Sequence, residues 1–295
     1  VIMTAFRQAS ILCPGDQVDL LEEILFLCEA QAVTLVDEGD SPIFEPPLGT
    51  HPVWPVTRVQ ALFYDERTDQ EILNVLAGCV QRAGLIIELP KHLAAIADAD
   101  WVRVSLEQFQ PLNIGRFWVR PSWRNDPIPD GHTLLTLDPG LAFGTGMHPT
   151  THLCLEWLSA HPPRNLEVMD FGCGSGILAI ASGCLGAKRL TGLDIDPQAL
   201  LATQSNAALN QIHIETYLPE QNPGGQYDVL LANILANPLI ELAQNITNLI
   251  RPGGSVVLAG LLDSQVDSVQ SAYPEIQFDT PITRDGWSRL SGTRR

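Results

Sequence analysis

The stretch Val168-Met169-Asp170-Phe171-Gly172-Cys173-Gly174-Ser175-Gly176-Ile177-Leu178-Ala179-Ile180-Ala181 limits this chain to few folds. A short apolar run ends in an acid. Three glycines follow at alternate positions, and an apolar segment of helical character comes next. Glycines at 172, 174 and 176 permit a tight turn with positive φ and a close backbone approach to a ligand. A helix that starts there aims its positive dipole end at the same point. Strand, glycine turn and helix in that order make a nucleotide-type pocket at the carboxyl end of a parallel strand.

The spacing decides which nucleotide. Dinucleotide sites use G-x-G-x-x-G, whereas Gly172, Gly174 and Gly176 give G-x-G-x-G. A second apolar run, Leu190-Thr191-Gly192-Leu193, ends in Asp194-Ile195-Asp196-Pro197. A carboxylate at such a strand end can accept the hydroxyls of a ribose. Asp194 is the candidate; Asp196 stands just before Pro197 and suits the N-cap of the next helix. The D-x-G-x-G-x-G form resembles the first motif of the class I S-adenosylmethionine (SAM) methyltransferases. A tight turn that holds no ligand is the alternative reading of the glycines alone.

Charge and cysteine content narrow the setting. The net charge is −17. Residues 1–149 hold nine Lys and Arg against twenty Asp and Glu, and residues 150–295 hold eight against fourteen. Such a surface repels bare nucleic acid, so no direct nucleic-acid binding is expected, and it favours a basic partner. The six cysteines form no C-x-x-C pair and no metal-ligand spacing, so reduced, buried thiols and no metal are expected. Cys173 in the glycine turn reads as packing rather than as a nucleophile. No apolar run approaches the ~20 residues of a membrane span, and residues 1–15 lack the layout of a signal peptide. A cytoplasmic monomer with no membrane contact is the expectation.

Along the chain, strands are predicted at 4–12, 32–36, 59–64 and 85–89, and helices at 17–30 and 69–81. That βαββαβ order matches a ferredoxin-like module over 1–90. Helical spacing of Leu93, Ile96, Trp101 and Val104 predicts a connecting helix over 91–110. Strands at 117–119 and 133–137 lead to a second glycine-rich stretch, Leu137 to Thr151. Thr150 and Thr151 open a helix there and can cap it. His148 reads as structural. Residues 111–295 are expected to form a doubly wound parallel sheet closed by an antiparallel hairpin around Arg284-Asp285-Gly286. Its fourth parallel strand is 228–235, followed by a helix over 238–250, a strand at 255–259, a helix at 264–272 and last strands at 276–283 and 287–291.

With these residues laid out, the chain resembles one family, the bacterial methyltransferases of the large-subunit ribosomal protein L11 (PrmA). The matching stretches are L-D-P-G-L-A-F-G-T-G-M-H-P-T-T (137–151), D-F-G-C-G-S-G-I-L-A-I-A (170–181), G-L-D-I-D-P (192–197), A-N-I-L-A (232–236) and W-S-R-L-S-G (287–292). The resemblance implies SAM contacts at Thr150, Gly172, Asp194 and Asn233. Asp170 and Gly174 of the same turn are taken as cofactor-binding with them, as are Phe143, Gly144, Thr145 and Gly146, which match a loop that closes over the cofactor. It further implies that 1–90 docks a basic ribosomal protein and that lysine side chains or the terminal α-amine are methylated, up to trimethyl, with Asn233 positioning the amine. Asn233 capping the helix near Pro238 is the alternative for that residue. One departure stands out. The family carries a second Trp and a Phe-His-Pro in the connecting helix, where this chain has Ser105 and Phe109-Gln110-Pro111. Another protein substrate, a cofactor-binding homologue with impaired transfer and a nicotinamide oxidoreductase remain as alternatives.

Overall fold

The computed structural model describes residues 6–39, 53–64, 66–96, 110–138, 146–221 and 224–295. The chain divides into two compact units, 1–105 and 106–295. The division falls within the stretch read as a connector, most of which lies outside the described residues.

In the first unit, β1 (Phe6–Pro14), α1 (Val18–Leu27), β2 (Ala32–Asp37), β3 (Val56–Tyr64), α2 (Asp69–Ala83) and β4 (Ala94–Ile96) follow one another. The sheet order is β2-β3-β1-β4, all neighbours antiparallel. Alternation along β1 and β3 turns Ala9, Ile11, Cys13, Val59, Ala61 and Phe63 to one face. There they meet Leu21, Ile24 and Leu25 of α1 and Ile72, Leu76 and Val80 of α2. A capping box starts α2: the Glu71 N–H donates to Thr68 Oγ1, and the Thr68 N–H donates to Glu71 at 2.8 Å. Gly84, at φ +72°, ends it.

Two expectations in this unit need correction. Residues 85–89 form no strand; Leu85, Ile87 and Leu89 pack extended against the core while Ile86 is exposed. The fourth strand is β4, inside the stretch read as a connecting helix. Asp69 sets its place: the carboxylate, paired with Arg7 of β1, accepts the Leu93 N–H at 3.1 Å. That bond delivers Ala94 to the edge of β1 opposite Gln8. The proposed helical spacing at Leu93 and Ile96 instead belongs to a strand entry.

The second unit opens with a three-stranded sheet, β5 (Leu112–Ile114), β6 (Phe117–Arg120) and β7 (Thr133–Thr136). Then come α3 (Pro149–Ala160), β8 (Glu167–Phe171), α4 (Ile177–Cys184), β9 (Arg189–Leu193), α5 (Pro197–Leu209), β10 (Glu215–Tyr217), β11 (Tyr227–Asn233), α6 (Ala236–Glu241), α7 (Ala243–Asn248) and β12 (Ile250–Leu262). The chain closes with α8 (Val266–Ala272), β13 (Ile276–Phe278), β14 (Ile282–Arg284) and β15 (Trp287–Arg294). The sheet order is β10-β9-β8-β11-β12-β15-β13. The first five strands are parallel; β15 runs antiparallel between β12 and β13, and β14 pairs with β15 in the expected hairpin. Asp285 and Gly286 both take positive φ there, as a two-residue hairpin turn requires.

Successive residues of the central strands feed two cores. Val168, Leu231 and Val257 pack with α3 and α4, whereas Met169, Leu230 and Leu258 pack with α6, α7 and α8. Pro281, which has no N–H to give a ladder, stands between β13 and β14, so the strand expected over 276–283 is two. The helix expected over 238–250 likewise breaks at Leu242 into α6 and α7.

Candidate functional site

Strand order reverses between β8 and β11, since β9 and β10 lie to one side of β8, and β11 and β12 to the other. In a doubly wound sheet the crevice beyond the carboxyl ends of such a pair receives the ligand. Asp170, Gly172, Gly174, Asp194 and Asn233 all sit at these strand ends or in the turns that leave them.

The glycine turn is fixed by its own backbone. The N–H groups of Gly172 and Cys173 donate to Leu193 O, and that of Gly176 donates to Cys173 O. All three glycines have positive φ. A Cβ on Gly172 would stand 2.3 Å from Ile234 Cγ2, and one on Gly260 would stand 2.2 Å from Ile234 O. Ile234 is thus wedged between two glycines, and this packing holds the neighbouring Asn233 in place.

Two carboxylates complete the turn. Asp170 is buried and accepts the Ala179 N–H of α4 at 3.0 Å. Burial pushes its carboxyl well above the usual carboxylate range, and the nearby Asp194 adds to this. Asp194 accepts the Gly174 N–H at 2.9 Å and the Asp196 N–H at 3.0 Å, one on each oxygen. Each oxygen retains a further lone pair for a hydroxyl donor. Asp196 caps α5 through the Gln198 N–H at 2.8 Å, so the two acids divide the roles that their spacing left open.

This arrangement suits a nucleoside without a pyrophosphate. A phosphate site offers free N–H groups at the glycine turn. The N–H groups of Gly172, Cys173, Gly174 and Gly176 are all engaged within the protein, and two acidic side chains stand beside them. SAM, a nucleoside carrying a sulfonium cation, fits that donor set.

On the opposite side stands α3. His148, not Thr150 or Thr151, is its N-cap: the imidazole Nδ1 accepts from the Thr150 N–H and lies 2.8 Å from Thr150 Oγ1. The ring meets Trp287 edge-on with centroids 4.7 Å apart. Asn233 Nδ2 donates to Thr151 Oγ1 at 3.4 Å. Asn233 caps no helix, because Leu235 is the N-cap of α6 and no side chain bonds there. Gly146, at φ +87°, packs near Ile177, the first residue of α4. Phe143, Gly144 and Thr145 lie outside the described residues. Cys173 is buried, accepts from Thr203 Oγ1 at 3.3 Å and has its thiol pushed up to about 12, mainly by burial, which agrees with a packing role.

Sequence reasoning missed Thr203, Asn206 and Asn210, the polar face of α5. Thr203 Oγ1 donates to Gly174 O at 3.0 Å, and Asn206 Nδ2 donates to Ser175 O at 3.0 Å. Their spacing of three and four residues was the available signal, since it repeats a polar residue on one helix face.

The family model described as ribosomal protein L11 methyltransferase (PrmA) matches residues 5–295. The chain belongs to this family. The ribosomal protein L11 methyltransferase of Pseudomonas paraeruginosa is 48% identical over 294 residues, covering 98% of both chains. That of Pseudomonas putida is 46% identical over 297 residues, covering 98% of this chain and 99% of the relative. The crystal structure of a ribosomal protein L11 methylase from Lactobacillus delbrueckii subsp. bulgaricus is 31% identical, with a TM-score of 0.58. It matches 63% of this chain and 100% of its own. Membership of PrmA makes the chain a SAM-dependent methyltransferase. No helix among the described residues is long and apolar enough to cross a membrane.

The cap on α3 gives a first testable consequence. Burial lowers the His148 pKa below its ordinary value. The unfolded chain therefore binds that proton more readily, and the contribution of His148 to stability falls as pH drops through ~6.5. His148→Asn, which caps without titrating, is expected to flatten this part of the acid dependence in denaturant unfolding. His148→Ala is expected to cost ~1 kcal/mol at neutral pH, as a lost N-cap does. An unchanged unfolding midpoint in His148→Ala would remove the cap from the account.

Proposed function

We propose that this chain transfers methyl groups from SAM to amine nitrogens of a large-subunit ribosomal protein, the L11 of its relatives' names. Lysine side chains and the terminal α-amine are the acceptors in this reading, carried to the trimethyl state. Thr150, Gly172, Asp194 and Asn233 are its SAM contacts, with Asp170, Gly174 and Gly146 shaping the pocket. The substrate is a basic protein met in the cytoplasm by a monomeric enzyme.

One observation carries this reading beyond family membership: the tether from Asn233 Nδ2 to Thr151 Oγ1. With Nδ2 facing the Thr151 hydroxyl, Oδ1 serves as the acceptor in this reading. When bound, SAM supplies a methyl group on a sulfonium. The acceptor amine must reach it neutral, yet a free lysine has a pKa of about 10.4. Desolvation lowers that value without a dedicated base. In the first and second transfers Asn233 Oδ1 accepts one amine N–H and aims the lone pair; the tertiary amine of the third has no N–H to give, and holding the reactants together supplies most of the acceleration throughout. The amine would gain the methyl while the cofactor keeps the bonding pair; after the first and second transfers a proton would pass to water, and after the third the nitrogen would keep a fixed positive charge. Ile234 and Leu235 follow Asn233, with no aromatic wall in sequence beside it, which suits a flexible chain and repeated transfer.

The test is turnover of SAM to S-adenosylhomocysteine by the full chain with purified ribosomal protein L11, followed by mass spectrometry. Successive methyl increments on amines are expected. SAM binding without turnover would leave only a cofactor-binding homologue; turnover confined to another protein would replace the substrate.

The cofactor part stands on Asp194. Asp194→Ala is expected to weaken SAM binding by ~1.5–3 kcal/mol, the range for lost hydrogen bonds to a charged group. Calorimetry that finds equal affinity in the folded variant would remove Asp194 from the site.

A further inference from the structure

We propose that Asn206 is a positioning residue that holds the glycine turn of the SAM site at a fixed distance from Asp138, just past the end of β7. The inference rests on the reading that the turn Gly172–Gly176 carries SAM.

The buried side of α5 is half polar, with Thr203 and Asn206 beside Ala199 and Ala207. Leu201 and Leu209 are exposed, while Thr203 and Asn206 are buried. A buried amide is unfavourable unless its bonds are met. Asn206 meets them by bridging two backbones. Its Nδ2 donates to Ser175 O in the glycine turn, at 3.0 Å. Its Oδ1 accepts the Asp138 N–H, at 3.1 Å, where the chain leaves β7 for the second glycine-rich stretch. The Asp138 carboxylate is held independently by the Ser122 N–H and hydroxyl, at 2.6 and 2.7 Å. Asp138 is therefore pinned by main chain and side chain alike.

The neighbours of Asn206 on α5 do less. Thr203 touches only the glycine turn among these two segments, through Gly174 O and Cys173 Sγ. Asn210 pairs with both backbone groups of Thr136, at 2.8 and 2.6 Å, as a strand neighbour would. Of the three, Asn206 alone reaches both the turn and the entry to the second segment. Gly146, at the far end of that segment, packs near Ile177 at the start of α4.

The experiment compares the full chain with Asn206→Ala, Asn206→Ser and Asn210→Ala by calorimetry with SAM, steady-state kinetics and amide hydrogen exchange. Asn206→Ala is expected to raise the SAM Kd and KM about tenfold, while kcat at saturating SAM changes less than about threefold, the pattern of lost uniform binding. Exchange at the Asp138 amide should rise, and SAM should no longer suppress it. Asn206→Ser, with a donor and an acceptor on a shorter arm, is expected to lie between parent and Ala and keeps the test open if Ala fails to fold. Asn210→Ala should lose thermal stability with its SAM Kd within about twofold of the parent, because it touches neither glycine segment. Equal SAM affinity in folded Asn206 variants would overturn the proposal, as would an equal loss in Asn210→Ala, which would mean general loosening. Asp194→Ala separates the two levels. If it weakens SAM binding and Asn206→Ala does not, only the positioning role fails; if neither does, the assignment of the SAM site fails.

Discussion

A chain lacking residues 1–105 is expected to keep its SAM affinity within about threefold while its rate on intact ribosomal protein falls by about 10³-fold or more, the scale of losing productive orientation. Each unit encloses its own hydrophobic core, so removal of the first leaves the second unit's sheet complete. The first unit carries much of the acidic excess, with six Lys and Arg against sixteen Asp and Glu in residues 1–105. The outward face of α1 is the surface proposed for docking. Asp19 and Glu23 are exposed beside Leu20, Phe26 and Leu27, the last at 80% exposure. Acids around solvent-facing apolar residues fit a basic protein partner that also buries some apolar area. The electrostatic share should fade with salt, since the Debye length shrinks from ~10 Å at 0.1 M to ~3 Å at 1 M. Methylation of the full substrate by the truncated, folded chain at the parental rate would sink the docking role.

The parts of the molecule written in local patterns were legible. Asp170 and the three glycines mark a strand, a turn and a helix because each step has its own residue chemistry. The same holds for the hairpin at Asp285-Gly286. What escaped is set by partners distant in sequence. Residues 85–89 alternate like a strand but gain no pairing partner, whereas Ala94–Ile96 becomes the strand because Asp69, some 25 residues earlier, holds Leu93. His148 takes the cap from the threonines because its ring is also packed on Trp287, far along the chain. The need for Ile234 to be flanked by glycines was invisible, since Gly172 lies in the turn after β8 and Gly260 in β12. The polar face of α5 was missed for the same reason: Asn206 is an unremarkable helix residue until Ser175 and Asp138 are brought to it.

Asn233→Ala is expected to lower kcat by about 10²-fold with labelled SAM and the intact ribosomal protein, the scale of a displaced reacting group. The direction of one amide decides this effect. Thr151, fixed on α3, accepts from Nδ2 and so turns Oδ1 away from itself. The neighbouring Ile234, locked between Gly172 and Gly260, prevents the end of β11 from shifting to compensate. Loss of the side chain therefore removes the acceptor without rebuilding the strand end. Asn233 is also assigned a SAM contact, so some loss of SAM affinity is expected as well. A kcat change at saturating SAM separates amine positioning from that loss. Thr151→Val keeps the shape of the neighbour but removes its hydroxyl. It is expected to cost about tenfold in kcat, less than Asn233→Ala, because the amide remains but loses its preferred direction. Asn233→Ala at parental kcat in a folded enzyme would leave the amine to be aligned by some other group. A full effect in Asn233→Ala with none in Thr151→Val would keep Asn233 and discard the tether.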